Sequence, residues 1–134
     1  VGNKANAIEA GKRMLSSMSP TIVEDPKGDL LLVVGSPGGS TIITTTAQVI
    51  MNVIDFGMNI EDAVESPRFH HQWLPDVIQF EKSGFSTETI NSLSKRGHDY
   101  KFRQSIGEAN CIQVNGMMIY GSADSRRGAS AIAY

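Results

Sequence analysis

The chain has 134 residues, 40% of them hydrophobic, which suits one domain, or one piece of a larger domain, with a real core. Charged residues make up 19%, the net charge is −2 and neither sign forms a run, which excludes an electrostatic nucleic-acid binder with its basic patch or stripe. No apolar stretch approaches the ~20 residues that cross a bilayer, and Val1 to Ala10 hold Gly, Asn, Lys and Glu where a signal peptide has an apolar core.

The opening Val1-Gly2-Asn3-Lys4-Ala5-Asn6 has no methionine and no tail-like composition. It reads as a cut inside a longer protein, so residues 1–134 are taken as a single partial domain. Ser19 to Glu24 is β-branched in the middle and predicts a strand. Asp25-Pro26-Lys27-Gly28 supplies a turn, with Pro pre-set in φ and Gly free to take positive φ. Leu30 to Val34 is apolar at every residue, which predicts a strand buried on both faces and hairpinned to the first. After Gly35-Ser36-Pro37-Gly38-Gly39 the period changes. Ile42, Ile43, Thr46, Ala47, Val49, Ile50, Val53 and Ile54 recur at spacings of three and four, the mark of a buried helix face. Ser40 or Thr41 is the expected N-cap and Gly57 the expected stop.

A short helix is predicted over Ile60 to Glu65, with Asn59 as cap and Pro67 just past its end. Arg68 to Trp73 and Val77 to Glu81 read as extended, interrupted at Leu74-Pro75-Asp76. Ser86 caps a third helix, Thr87 to Lys95, with Glu88 in its first turn and Gly97 ending it. Asp99 to Arg103 and Asn110 to Val114 read as strands, and Asn115-Gly116 is a hairpin signal leading into Met117 to Tyr120. Strands, helices and strands again predict an α+β fold of sheet layers packed on helices.

Four segments carry residues capable of chemistry. In Gly35-Ser36-Pro37-Gly38-Gly39-Ser40-Thr41, glycines precede a helix N-terminus, whose unpaired N–H groups and partial positive charge favour a phosphate, a carboxylate or a developing oxyanion. A tight turn with no ligand fits the same residues. A nucleotide P-loop does not, because Gly39 stands where that loop needs Lys, and the dinucleotide spacing of glycines is missing. Ser16 and Ser17 offer hydroxyl donors to a carboxylate. No local elbow or Ser-x-x-Lys pair activates either as a nucleophile, and read alone they are loop serines serving the backbone. In Phe69-His70-His71-Gln72-Trp73-Leu74-Pro75-Asp76 the two histidines of a strand point to opposite faces, so a structural role is preferred over a metal site. Asp124-Ser125-Arg126-Arg127-Gly128 reads by default as a surface turn of solvated charges, worth little energetically. Cys111 is the only cysteine, which excludes a disulfide within the chain, and its strand-like setting favours a small buried hydrophobe over a reactive thiol.

Taken in order, Gly11 to Val23 with its Leu15-Ser16-Ser17-Met18-Ser19-Pro20-Thr21 core, Gly35-Ser36-Pro37-Gly38-Gly39-Ser40, and Pro67 to Asp76 resemble the small subunit of the γ-glutamyltransferases. The resemblance covers about Asn3 to Tyr134 and is weakest from Ser83 to Glu108. It implies the C-terminal portion of an N-terminal-nucleophile hydrolase, an αββα sandwich. The family's precursor cuts itself in two, and a new N-terminal Thr takes the γ-glutamyl group of glutathione or a related amide as an acyl-enzyme for water or an amine. Carried over by motif, the N–H groups of Gly38 and Gly39 form the oxyanion hole, and Ser16 and Ser17 bind the glutamyl α-carboxylate.

The resemblance further implies no cofactor, a location in the periplasm or outside the cell, and two protein partners: the large subunit and the upstream part of the small one. Because Val1-Gly2 begins the chain, the nucleophile lies outside it, and this polypeptide alone is expected to be inactive. Its open strand edges are expected to make it self-associate. Ser125 stands where the family often has Pro. A non-catalytic anion-binding module using the Gly38-Gly39 helix terminus, an acylase of the same fold and a poly-γ-glutamate-processing enzyme are the alternatives.

Overall fold

The computed structural model describes residues 4–132. The Val1-Gly2 start and Tyr134, where the resemblance ends, lie outside the described residues. Strand β1 (Thr21–Glu24) and strand β2 (Leu30–Gly35) form the expected hairpin. Asp25 builds its turn: Oδ1 accepts from the backbone N–H groups of Lys27 (2.7 Å) and Asp29 (3.0 Å). This is the Asx geometry that lets a short acidic side chain replace a backbone partner.

Helix α1 (Ile42–Ile54) follows a single 3-10 turn at Gly39–Thr41. Thr41 occupies the N-cap, but its hydroxyl turns back to donate to the Gly38 carbonyl instead of capping the helix. The buried stripe is Ile42, Thr45, Thr46, Val49 and Val53. Ile43, Ala47 and Ile54, expected on that stripe, point outward, and Thr45 takes a core position in their stead. The helix stops at Asp55, two residues before Gly57, whose φ is 66°. Helix α2 (Ile60–Glu65) starts where Asn59 Oδ1 accepts from the Asp62 N–H at 2.8 Å. Helix α3 (Thr87–Lys95) starts the same way, at Ser86 Oγ and the Thr89 N–H, 3.1 Å. Both caps satisfy N–H groups that the helix itself leaves unpaired.

Strand β3 (Phe69–His70) is shorter than its extended flank suggests, and the chain turns just beyond it at Trp73, whose φ is 68°. It pairs antiparallel with β4 (Ile78–Glu81), which runs parallel to β5 (Tyr100–Arg103). Strands β6 (Asn110–Asn115) and β7 (Met118–Ala123) complete a second, wholly antiparallel sheet in the order β1-β2-β6-β7. Their hairpin turns at Gly116 and Met117, with Asn115 opposite Met118 and Gly116 at φ 60°. Gly therefore occupies the first central position, as a type II′ turn demands, and β7 runs on to Ala123, three residues past the expected end.

Helix α1 packs on β2, and α2 packs on β6 and β7. The core between them holds Leu32, Val34, Val49, Val53, Ile60, Ala63, Val64, Ala109 and Cys111. Each large member contributes about 1.5–3 kcal/mol by leaving water. A smaller cluster of Ile78, Phe80 and Ile90, flanked by Phe85 and Leu93, joins α3 to the three-stranded sheet. The expectation that β2 is buried on both faces is corrected here. Leu32 and Val34 are buried, but Leu31 and Val33 are only half-buried, because α1 and α2 cover one face of the sheet. On the other face Ile22, Val33 and Ile112 stand in one cross-strand row. Ile22 is 69% exposed and Ile119, on edge strand β7, is 70% exposed. No helix among the described residues is long and apolar enough to cross a membrane.

Candidate active site

The glycine segment lies where the sequence puts it, at the junction of β2 and α1. Gly38 has φ 142° and ψ 10°, and Gly39 has φ 60°, conformations that L residues rarely adopt. A Cβ on Gly38 would also fall 2.5 Å from Thr41 Oγ1, so the position excludes any side chain twice over. Gly38 and Gly39 are exposed, and neither backbone N–H has an acceptor among the described residues. Two adjacent donors with no acceptor among the described residues thus sit on exposed residues at the head of a 13-residue helix. The partial positive charge of that terminus adds to theirs.

The serine pair belongs to the same region. Ser17 Oγ donates to the Gly39 carbonyl at 2.6 Å, joining two segments 22 residues apart. Ser16 Oγ accepts from the Met18 N–H at 3.2 Å, and its own O–H has no acceptor among the described residues. Ser17 is therefore placed against the Gly38-Gly39 turn, with Ser16 beside it in the chain, although Ser17 spends its proton on the turn itself.

Behind the turn is a feature that sequence reasoning missed. Asp124 is 0% exposed and Arg68 1% exposed, so the terminal Asp124-Ser125-Arg126 stretch is no solvated surface turn. Asp124 Oδ2 accepts from Arg68 Nη1 (2.6 Å) and the Ala109 N–H (2.9 Å), while Oδ1 accepts from the backbone N–H and Nη1 of Arg126, both at 3.0 Å. Arg126 also donates to Glu81 through Nε (2.7 Å) and Nη2 (2.8 Å), and Arg68 donates to the carbonyls of Val64 and Ile106. The correction has a plain cause: carboxylates that accept at every lone pair, as Asp124 and Glu81 do, survive burial beside their arginines, and spacing along the chain cannot show the partners.

Burial pushes the Asp124 carboxyl up, but hydrogen bonds from Arg68 and from the Arg126 and Ala109 N–H groups outweigh it and hold the group below the ordinary carboxylate range. Glu81 is likewise pushed up by burial and brought lower overall by Arg126 and the Arg68 and Ile106 N–H groups. Arg126, despite burial, is held more firmly protonated by Glu81 and Asp124.

The remaining candidates are structural. His70 is buried, with Nδ1 2.8 Å from Thr44 Oγ1 and Nε2 2.9 Å from Gln72 Oε1. His71 accepts from the Trp73 N–H at Nδ1, so Nε2 carries the proton it shares with Asp76 at 3.0 Å. The two rings thus have separate partners. Cys111 is buried in the core, and burial pushes its thiol up to about 11.

The chain is similar to known proteins along its whole length. The family model described as gamma-glutamyltranspeptidase matches residues 1–134. The glutathione hydrolase proenzyme of Escherichia coli (strain K12) is 48% identical over 94% of this chain. The chain spans 22% of the length of that relative, and 24% of the glutathione hydrolase proenzyme of Pseudomonas sp. (strain A14), which is 40% identical. A solved mutant gamma-glutamyltranspeptidase of Helicobacter pylori superposes with a TM-score of 0.86 at 53% identity, covering 95% of this chain and 70% of that one. The Bacillus anthracis transpeptidase CapD, at 24% identity and a TM-score of 0.75 over 92% of this chain and 75% of its own, shares the fold. The α+β architecture is that of the N-terminal-nucleophile hydrolases. By family model, identity and fold together, the chain belongs to the gamma-glutamyltranspeptidase family.

Proposed function

We propose that this chain supplies the oxyanion-binding turn of an enzyme that takes the γ-glutamyl group from glutathione or a related amide and passes it to water or an amine. The carrying observation is the pair of unpaired N–H groups on Gly38 and Gly39 at the head of α1. In the reaction an N-terminal Thr hydroxyl attacks the γ-carbonyl carbon, and the carbonyl oxygen gains negative charge. The two N–H groups and the helix terminus stabilise that charge. The C–N bond breaks as the Thr hydroxyl's proton passes to the leaving amine. Water or an acceptor amine then attacks the acyl carbon, and the same turn holds the second oxyanion. The ester C–O bond breaks as the acceptor's proton returns to the Thr oxygen. One such donor is worth about 10²–10³ in rate. Ser16 donates its O–H to the substrate α-carboxylate, and Ser17 joins it by rotating away from the Gly39 carbonyl.

The open sheet face bearing Ile22, Ile112 and Ile119 is where the remainder of the small subunit and the large subunit seat in this reading. Uncovered, it drives the self-association expected of the polypeptide by itself. Location in the periplasm or outside the cell is part of the same proposal, and fractionation of the source cells tests it.

Intact mass of the full-length protein before and after incubation, with a γ-glutamyl anilide assay on the same sample, tests the function. Two subunits appearing together with anilide release are expected. An uncleaved, inactive protein would instead favour a non-catalytic anion site at the same turn.

A further inference from the structure

The two unpaired N–H groups belong to two consecutive peptide planes, and the other end of each plane is held by a hydroxyl. A trans peptide is rigid, so its C=O and N–H point in opposite directions and fixing one aims the other. The Gly38 N–H shares its plane with the Pro37 carbonyl, which accepts from Ser36 Oγ at 2.7 Å. The Gly39 N–H shares its plane with the Gly38 carbonyl, which accepts from Thr41 Oγ1 at 3.0 Å and from the Thr41 N–H at 3.2 Å. Thr41 is 3% exposed and its hydroxyl is spent here, not on capping α1.

Ser36 is anchored in turn. Its Oγ accepts from the Glu108 N–H at 3.0 Å. Glu108 lies in a short segment pinned on both sides by the buried ions, through Ile106 O to Arg68 (3.0 Å), the Ile106 N–H to Glu81 (2.7 Å) and the Ala109 N–H to Asp124 (2.9 Å). Gly107, inside that segment, is buried against Thr45, where a Cβ would lie 2.3 Å from Oγ1. The buried network thus reaches the glycine turn through one hydroxyl.

We propose that Ser36 and Thr41 are positioning residues that aim the two oxyanion donors, Ser36 the Gly38 N–H and Thr41 the Gly39 N–H. The inference rests on reading Gly38 and Gly39 as those donors. Neither hydroxyl touches substrate. Each orients a group whose contribution is realised only as charge develops, so its loss lowers kcat and leaves KM in place.

The test uses the full-length protein with Ser36→Ala, Thr41→Val and Gly38→Ala, and the conservative Ser36→Thr and Thr41→Ser. Rates are expressed per active site titrated, with subunit formation checked by mass. The probe of the oxyanion site is a γ-boronic acid analogue of glutamate, whose tetrahedral adduct carries the negative oxygen. Removing a donor outright costs about 10²–10³ in kcat, so mis-aiming it is expected to cost about tenfold. Ser36→Ala and Thr41→Val should each show that fall, an equal fall in boronate affinity and a KM within about twofold, and Ser36→Thr and Thr41→Ser should restore kcat and boronate affinity. Wild-type kcat and boronate affinity in both variants, beside a collapse in Gly38→Ala, would overturn the positioning roles and leave the oxyanion reading intact. A Gly38→Ala variant with wild-type kcat would overturn both. A loss confined to KM, with boronate affinity unchanged, would make the hydroxyls general supports of the substrate site and overturn the inference.

Discussion

Replacing Asp124 by Ala separates a buried ion network from a surface turn by magnitude. The substitution leaves Arg68, 1% exposed, without its carboxylate, takes one of two carboxylates from Arg126, which keeps Glu81, and orphans the Ala109 N–H. Removing one partner of a buried pair costs about 3–5 kcal/mol. An orphaned buried donor alone costs about 1–3 kcal/mol, and the two terms overlap because one side chain serves both. Against a usual total of about 5–15 kcal/mol this is a large share. The control is Arg127→Ala, whose side chain is 58% exposed and reaches Glu108 only at 3.9 Å. That pair should be worth at most about 0.5 kcal/mol.

Urea unfolding of the full-length protein followed by hydrogen exchange at the Ala109 amide reads both substitutions. The network predicts a loss of about 3–5 kcal/mol of protection for Asp124→Ala and none resolvable for Arg127→Ala. Equal, sub-kcal/mol losses for the two would refute the reasoning. The pH dependence has a definite sign. The folded-state pKa values of Asp124 and Glu81 are lowered, so the unfolded chain binds their protons first as pH falls. Their stabilisation is present above the ordinary carboxylate range and is lost as pH falls through it toward the lowered folded values. Asp124→Asn should flatten that acid limb.

Two further outcomes follow from packing. At pH 8 Cys111 should resist iodoacetamide until urea is added, because the folded thiol is held near pKa 11, and stability should fall as pH rises from 9.0 toward about 11. Native-state labelling at the rate of a free thiol would contradict this. Gly84→Ala should destabilise by about 1–3 kcal/mol, since its Cβ would lie 1.8 Å from Pro67 Cγ at φ 101°; Gly57→Ala, at φ 66° with nothing within 4 Å, meets only backbone strain of about 1–2 kcal/mol. Thermal midpoints in that order check it, and equal midpoints would count against the close packing of Gly84 on Pro67.

What could be read from the residues was local. The Asn59 and Ser86 caps and the glycines between β2 and α1 depend on neighbours within four positions and stand where the spacing puts them, and the Asn115-Gly116 hairpin forms one residue on, turning at Gly116 and Met117. The motif resemblance named Ser16, Ser17, Gly38 and Gly39, and a hydrogen bond joins Ser17 to Gly39. Contacts of high sequence separation were not legible. Arg68 meets Asp124 across 56 residues, and nothing in a short charged run distinguishes a solvated Asp from one with four donors. The uniformly apolar Leu30 to Val34 misled about burial for a related reason: composition shows which residues can be covered, whereas the elements packed on the sheet decide which of them are. The Ser36 and Thr41 hydroxyls were visible only as members of a motif until the carbonyls they hold were located.

The most direct test is a crystal structure of the full-length protein carrying the γ-boronate adduct. The account predicts one boronate oxygen within about 2.7–3.1 Å of both the Gly38 and Gly39 backbone nitrogens. A boronate oxygen held by other donors, with both glycine N–H groups turned to solvent, would contradict it.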